Sequence, residues 1–153
     1  MGGPKFLIDA NLIALLAVGL ADVRWIAGHK RLKGYGPEDF VILQNLLSTA
    51  TQITSLPNAW TEASNLLGQG GSNFQITKIL SQFQFLINDF GCAYVPGATA
   101  VARSEFKFLG LTDCALLELA GLDFTILSAD HKLCIAAEKA GLKASNFNHF
   151  RGL

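Results

Sequence analysis

Cysteine is scarce and irregularly placed. Cys92, Cys114 and Cys134 are odd in number and share no C-x-x-C spacing, so neither a disulfide framework nor a zinc knuckle is expected, and all three read as reduced core thiols. Charge is scarce too. Only 16% of residues are charged, and 12 basic residues balance 12 acidic ones, which removes any global attraction to nucleic acid and leaves only local patches. The longest apolar run near the N-terminus, Leu12 to Ala21, is bounded by Asp9 and Asp22 and falls short of the roughly 20 residues a membrane helix needs. Asp9 also interrupts the place where the apolar core of a secretory signal would begin, so a cytoplasmic location with no membrane contact is expected. No G-x-S-x-G nucleophile elbow occurs, and Ser128, Asp130 and His131 are too close in sequence to form a hydrolytic triad easily. Gly68, Gly70 and Gly71 lack the Lys and Ser/Thr of a phosphate-binding P-loop and read as a break between helices.

Apolar residues, by contrast, are plentiful. They make up half of the 153 residues, and mean hydropathy is +0.35. A chain of this length builds one domain with a sizeable core, so residues 1–153 are expected to share one scaffold. The apolar surplus points to a homodimer or a partner interface.

Strand-like and helix-like stretches alternate. Phe6-Leu7-Ile8 is a short apolar run leading into Asp9, and Ala10 to Leu20 reads as a buried helix. Ala27 to Pro37, rich in glycine and basic residues, reads as a loop or mobile insertion, followed by a helix from Pro37 to Ala50. A helix is expected after Ser55-Leu56-Pro57 and ends at Gly68, placing Glu62 mid-helix. Phe74 to Asp89 has helical spacing, and Cys92 to Val95 reads as a strand stopped by Pro96. Thr99 is suited to cap a helix toward Phe108, and Thr112 one from Asp113 to Ala120. Phe124 to Leu127 reads as a strand, Asp130 to Ala140 as a helix, and Lys143 to Phe147 as a last strand. The alternation predicts an α/β fold, a parallel sheet flanked by helices.

In such sheets ligands bind beyond the carboxyl ends of the strands, where Asp9 and Asp130 fall. Asp113 begins a helix, where the dipole favours a carboxylate, and Glu62 sits in a largely apolar helix. Taken singly, each acid is more often a helix cap or a solvated charge than a ligand, and Asp113 beside Thr112 is suited simply to serve its helix start. Crowded carboxylates repel unless a cation neutralises them or some take up protons. Oxygen ligands without paired His or Cys favour Mg²⁺ or Mn²⁺ over zinc, and such an ion activates water for phosphodiester cleavage.

Four stretches carry a resemblance: Phe6-Leu7-Ile8-Asp9-Ala10-Asn11, Trp60-Thr61-Glu62-Ala63-Ser64-Asn65-Leu66-Leu67, Leu109-Gly110-Leu111-Thr112-Asp113-Cys114-Ala115 and Ile126-Leu127-Ser128-Ala129-Asp130. In this order the chain resembles the PIN-domain nucleases, which include the toxin ribonucleases of toxin-antitoxin pairs. The resemblance implies a PIN-like domain with Asp9, Glu62, Asp113 and Asp130 as metal-binding and catalytic acids, and Asn11, Thr112 and Ser128 as polar supports. It also implies a magnesium-dependent ribonuclease, a hydrolase acting on RNA, with an antitoxin protein as a partner. Asp9 and Glu62 are 53 positions apart, wider than the compact toxins suggest, and the surplus is assigned to Arg24 to Glu38.

That surplus holds Arg24, His29, Lys30, Arg31 and Lys33. The cations Arg24, Lys30, Arg31 and Lys33 are candidate RNA contacts that would position phosphates without reading sequence; a solvated loop would look the same. Trp25 and Tyr35 can stack on unpaired bases, though Trp25 is equally suited to the core. His149 and Arg151 read as a solvated tail. The leading expectation is a metal-dependent endoribonuclease; the alternative is a catalytically weak PIN-fold module that binds RNA or a protein partner.

Overall fold

The computed structural model describes residues 2–153. Four parallel strands, β1 (Lys5–Ile8), β2 (Gln52–Thr54), β3 (Thr125–Ser128) and β4 (Lys143–Asn146), lie in the order β2-β1-β3-β4. Nine helices flank them among the described residues: α1 (Ala10–Ala21), α2 (Pro37–Leu47), α3 (Pro57–Leu67), α4 (Asn73–Phe90), α5 (Gly97–Val101), α6 (Phe106–Leu109), α7 (Leu111–Ala120), α8 (His131–Lys139) and α9 (Phe147–Phe150). The parallel α/β sheet expected from the alternation is therefore present.

Successive strand side chains point to opposite faces, which splits the core in two. Phe6, Ile8 and Leu127 pack with α1, α3 and α4 on one face. Leu7 and Ile126 pack with α5, α7 and α8 on the other. α1 is enclosed along most of its length, with Leu12 to Val18 almost without exposure, so its near-continuous apolar sequence has a place inside the fold rather than in a membrane. Among the described residues no helix is long and apolar enough to cross a bilayer.

The chain leaves β1 toward β2 and then returns across the sheet to β3. Strand order thus reverses between β1 and β3, and the crevice beyond their carboxyl ends is the ligand position of open α/β sheets.

Several local expectations are corrected. Cys92 to Val95 forms no strand; its link to the sheet is one hydrogen bond from the Ala93 amide to the Ser55 carbonyl, at 2.8 Å. The strand on the side of β1 away from β3 is Gln52–Thr54, too short to show alternation. The helix expected from Thr99 to Phe108 is two pieces, α5 and α6. Thr112 is not a cap: α7 starts earlier, after Gly110, whose φ of +93° suits glycine and sets the sharp entry. Cys92 is exposed, whereas Cys114 and Cys134 are buried. The segment after Trp25 is not a free insertion, because Ile26, His29 and Leu32 are buried and the Gly34 carbonyl accepts a hydrogen bond from Arg151. Arg151 is no solvated tail either; it pairs with Asp39, both side chains being nearly enclosed, while His149 is exposed.

Candidate metal centre

Asp9 follows β1 directly and caps α1. Its Oδ1 accepts the Ala10 amide at 2.8 Å and its Oδ2 accepts the Ser128 hydroxyl at 2.6 Å. The Asp9 amide donates to the Leu127 carbonyl at 3.1 Å, which carries the β1 and β3 pairing one residue further. The buried Ser55 hydroxyl donates to the Ile8 carbonyl at 2.7 Å and ties the end of β2 to the same corner. The carboxylate is thereby fixed at both oxygens, and its backbone is tied to β3, which limits its rotamers.

Asp130 stands just past β3 and caps α8, its Oδ1 accepting the amides of Lys132 at 2.9 Å and Leu133 at 3.2 Å. Ser128 links the two acids: its oxygen accepts the Asp130 amide at 3.0 Å while its proton goes to Asp9. Asp113 lies in the first turn of α7, where backbone amides favour a negative group. Glu62 projects from the exposed side of α3, whose opposite side buries Ala59, Trp60 and Ala63.

Asp9, Glu62, Asp113 and Asp130 line one cavity of about 340 Å³ together with Asn11, Leu109, Leu111 and Thr112. The four sequence candidates are therefore brought together. Of the three supporting residues, Ser128 makes the hydrogen bonds above, while Asn11 and Thr112 line the wall. The basic residues Arg24, Lys30, Arg31 and Lys33 do not line this cavity. Arg24 pairs with Asp22 at the far end of α1, and Arg31 donates to the Gln69 side chain beyond α3.

The acids feel one another. Burial raises the Asp113 pKa to about 7, and the charges of Asp9, Asp130 and Glu62 push the same way, with Lys132 opposing. Burial also raises Asp9; the Ser128 and Ala10 hydrogen bonds work against it, and the Asp130 charge adds to it. Glu62 is raised by burial and by Asp9. Lys132 was not singled out in the sequence, although its position two residues after Asp130, at the start of the same helix, placed it there.

The four carboxylates ring the cavity without closing it: among the described residues, no three His, Cys, Asp or Glu side chains form a ready-made metal cage. The donor set still fits a hard cation. Its charged groups are carboxylates with no thiol or imidazole among them, and Mg²⁺ retains several waters and binds through few carboxylates, so an open ring suits it better than it would suit zinc.

No known protein-family model matches the chain, and no curated protein matches it.

Proposed function

We propose that this protein is a PIN-type endoribonuclease that hydrolyses RNA phosphodiester bonds with Mg²⁺ or Mn²⁺. The observation that carries this reading is the meeting of Asp9, Glu62, Asp113 and Asp130 in one cavity beyond the carboxyl ends of β1 and β3, with Asp113 lifted to about 7 by burial and its neighbours.

Asp9, Asp113, Asp130 and Glu62 would hold the ion. When bound, the ion lowers the pKa of a coordinated water and offsets the charge that develops on the phosphate. Ser128 keeps Asp9 oriented and donates to its Oδ2, which favours the ionised, ligating form. The crowding that raises Asp113 to about 7 without an ion is the repulsion that a bound cation would offset. Asn11 and Thr112, on the wall, supply polar groups that can orient a phosphodiester.

Within the same reading the chain would be the toxin of a toxin-antitoxin pair, with an antitoxin protein as its partner and a cytoplasmic RNA as its substrate. Phe74 and Phe85, exposed on α4, give apolar surface that a homodimer or such a partner would cover. The open ring favours one alternative, a PIN-fold module that binds RNA or a protein with little catalysis.

Metal titration with an RNA cleavage assay separates these. The nuclease binds Mn²⁺ measurably and cuts RNA internally with Mg²⁺, stopping in excess EDTA. Cleavage that persists in EDTA, or that requires zinc, would overturn the proposal. Absence of both Mn²⁺ binding and cleavage would select the binding module.

A further inference from the structure

The acidic cavity has no positive side chain in its wall; its charged residues are all carboxylates. A bound cation there would offset the scissile phosphate, but the phosphates on either side of it need positive charge from elsewhere. Arg24, Lys30, Arg31 and Lys33 are poorly placed to supply it. They follow the far end of α1, which runs 12 residues from Asp9, about 18 Å at 1.5 Å rise per residue.

A cation close to the acids is on α8. Lys132 follows Asp130 by two positions, and its charge is the one that works against the raised pKa of Asp113. Lys132 itself lines a neighbouring groove of about 610 Å³ between α6 and α8, together with Phe108, Ile135, Ala136 and Lys139. The two spaces adjoin along both helices: Leu109 and Asp130 line the acidic cavity, while the preceding Phe108 and the following His131 line the groove. The Lys132 ammonium donates to the Phe108 carbonyl at 3.4 Å and ties α8 to α6 at that junction.

The groove carries a positive stripe. Lys132 and Lys139 are two turns apart on α8, on one face and separated by about 10 Å along the axis. Ile135 and Ala136 lie between them. Both lysines are exposed and, among the described residues, join no ion pair. Glu105, the carboxylate in the same lining, is already engaged by Arg103, whose Nε and Nη2 each donate to it at 3.1 Å. The charge left over in the groove is therefore positive.

Across the groove, on α6, Phe108 is 57% exposed, a large aromatic ring left in water. An aromatic shelf beside a cationic stripe is how proteins hold nucleic-acid single strands, the ring taking a base and the cations the phosphates. A base inside a duplex has both faces covered by its neighbours and cannot reach such a shelf.

We propose that this groove holds the unpaired nucleotides next to the scissile phosphate of a single-stranded RNA, with a base against Phe108 and phosphates at Lys132 and Lys139. The proposal takes its ligand from the nuclease reading and adds the substrate class, RNA without base pairing beside the cut. Phe108, Lys132 and Lys139 position the strand and do not touch the reacting atoms.

The test measures binding and cleavage separately. Binding of a short, fluorescently labelled single-stranded RNA is followed by anisotropy in EDTA, and cleavage of the same RNA in Mg²⁺ gives kcat and KM. Phe108→Ala should weaken binding about tenfold, the worth of one stacked base, and Phe108→Trp should restore it. Lys139→Gln should lower the slope of log affinity against log salt by about 0.7. Both positions are exposed and distinct from the four acids, so in cleavage both variants should raise KM with little change in kcat. The parent should bind the single strand tighter than a duplex of the same sequence, a comparison that needs no variant to fold. Single-strand binding by Phe108→Ala and Lys139→Gln with the parent's affinity and salt slope would overturn the proposal and leave the groove to a protein partner. A parent that prefers the duplex, or that binds neither RNA, would overturn it as well. A parent that binds through the groove yet does not cut removes the nuclease reading and keeps this one. Cleavage with KM unmoved by either variant does the reverse.

Discussion

The Ser128 hydroxyl donates a 2.6 Å hydrogen bond to Asp9 Oδ2 across 119 positions of sequence. The donor ends β3 and the acceptor follows β1, so the pairing of the two central strands is also what aims the most enclosed acid of the cavity. The same hydroxyl accepts the Asp130 amide, so one small side chain sets the relation between two candidate ligands.

Ser128→Ala removes a donor that favours ionised Asp9, so the Asp9 pKa should rise further and Mn²⁺ affinity should fall about 10- to 100-fold, the usual cost of losing a group that orients a ligand. Ser128→Thr keeps the hydroxyl and should recover most of that affinity. Calorimetric Mn²⁺ titration of the two variants checks this. If alanine binds like the parent, the hydrogen bond has no part in metal binding.

The Asp39–Arg151 pair should behave as a clasp between the chain end and α2. Arg151 Nε donates to Asp39 Oδ1 at 2.8 Å, and its guanidinium also reaches the Gly34 carbonyl and lies 4.5 Å from the Tyr35 ring centre. Asp39 Oδ2 in turn accepts the Gly36 amide at 2.8 Å and closes the start of α2. Removing one partner strands a nearly enclosed charge, so Arg151→Ala and Asp39→Asn should each cost about 3–5 kcal/mol in urea unfolding. The double variant should cost clearly less than the two together, because the second substitution removes the stranded group. Strict additivity would show that the pair is not coupled.

This clasp also shows what the sequence could not disclose. Asp39 and Arg151 are 112 positions apart, and nothing local to Arg151 distinguishes a paired arginine from a solvated one. The acids were legible for the opposite reason: Asp9 and Asp130 each follow a short apolar run and precede a helical pattern, so their place at the strand ends is a local property. β2 was hidden because Gln52–Thr54 offers three residues, too few for a period of two. Cys92 to Val95 has strand-like composition yet makes one backbone hydrogen bond toward the sheet, from Ala93, so composition there outran pairing. The glycine break after α3 and the basic, aromatic segment after α1 were each readable, but that they line one cavity depends on where the two helices end.

The four basic candidates should contribute unequally to RNA binding. Arg24 is engaged by Asp22 and Arg31 by Gln69, whereas Lys30 and Lys33 are exposed and, among the described residues, join no ion pair. Each phosphate contact on a single strand adds about 0.7 to the slope of log affinity against log salt. Lys30→Ala with Lys33→Ala should therefore flatten that slope more than Arg24→Ala with Arg31→Ala, as read by fluorescence anisotropy with a short RNA. An unchanged slope in the lysine double variant would remove them from the RNA path.

Charge neutralisation in the acidic cavity should move stability and activity in opposite directions. Asp9, Glu62 and Asp113 all have raised pKa values in the fold, Asp113 reaching about 7. A carboxyl whose pKa is raised by folding holds its proton more tightly in the native state than in the unfolded chain. As pH climbs from the ordinary carboxylate value near 3.8 toward 7, the native state must release protons it favours, so the metal-free protein loses stability across that window. Asp113→Asn cannot ionise and should lose that part of the decline, so its melting temperature at pH 8 should equal or exceed the parent's, with the advantage shrinking by pH 5. Asp9→Asn should shift the balance the same way, less the hydrogen bonds that Asp9 Oδ1 and Oδ2 accept. Both variants should abolish Mg²⁺-dependent cleavage. Mg²⁺ or Mn²⁺ should raise the parent's melting temperature most above pH 7, where the carboxylates are ionised, and raise that of the Asp113→Asn variant far less. Melting curves from pH 5 to 8, with and without metal, decide the matter. If the parent and Asp113→Asn show the same pH profile, Asp113 does not carry the raised pKa. If the variant loses cleavage only because it unfolds, the acids hold the fold together rather than a cation.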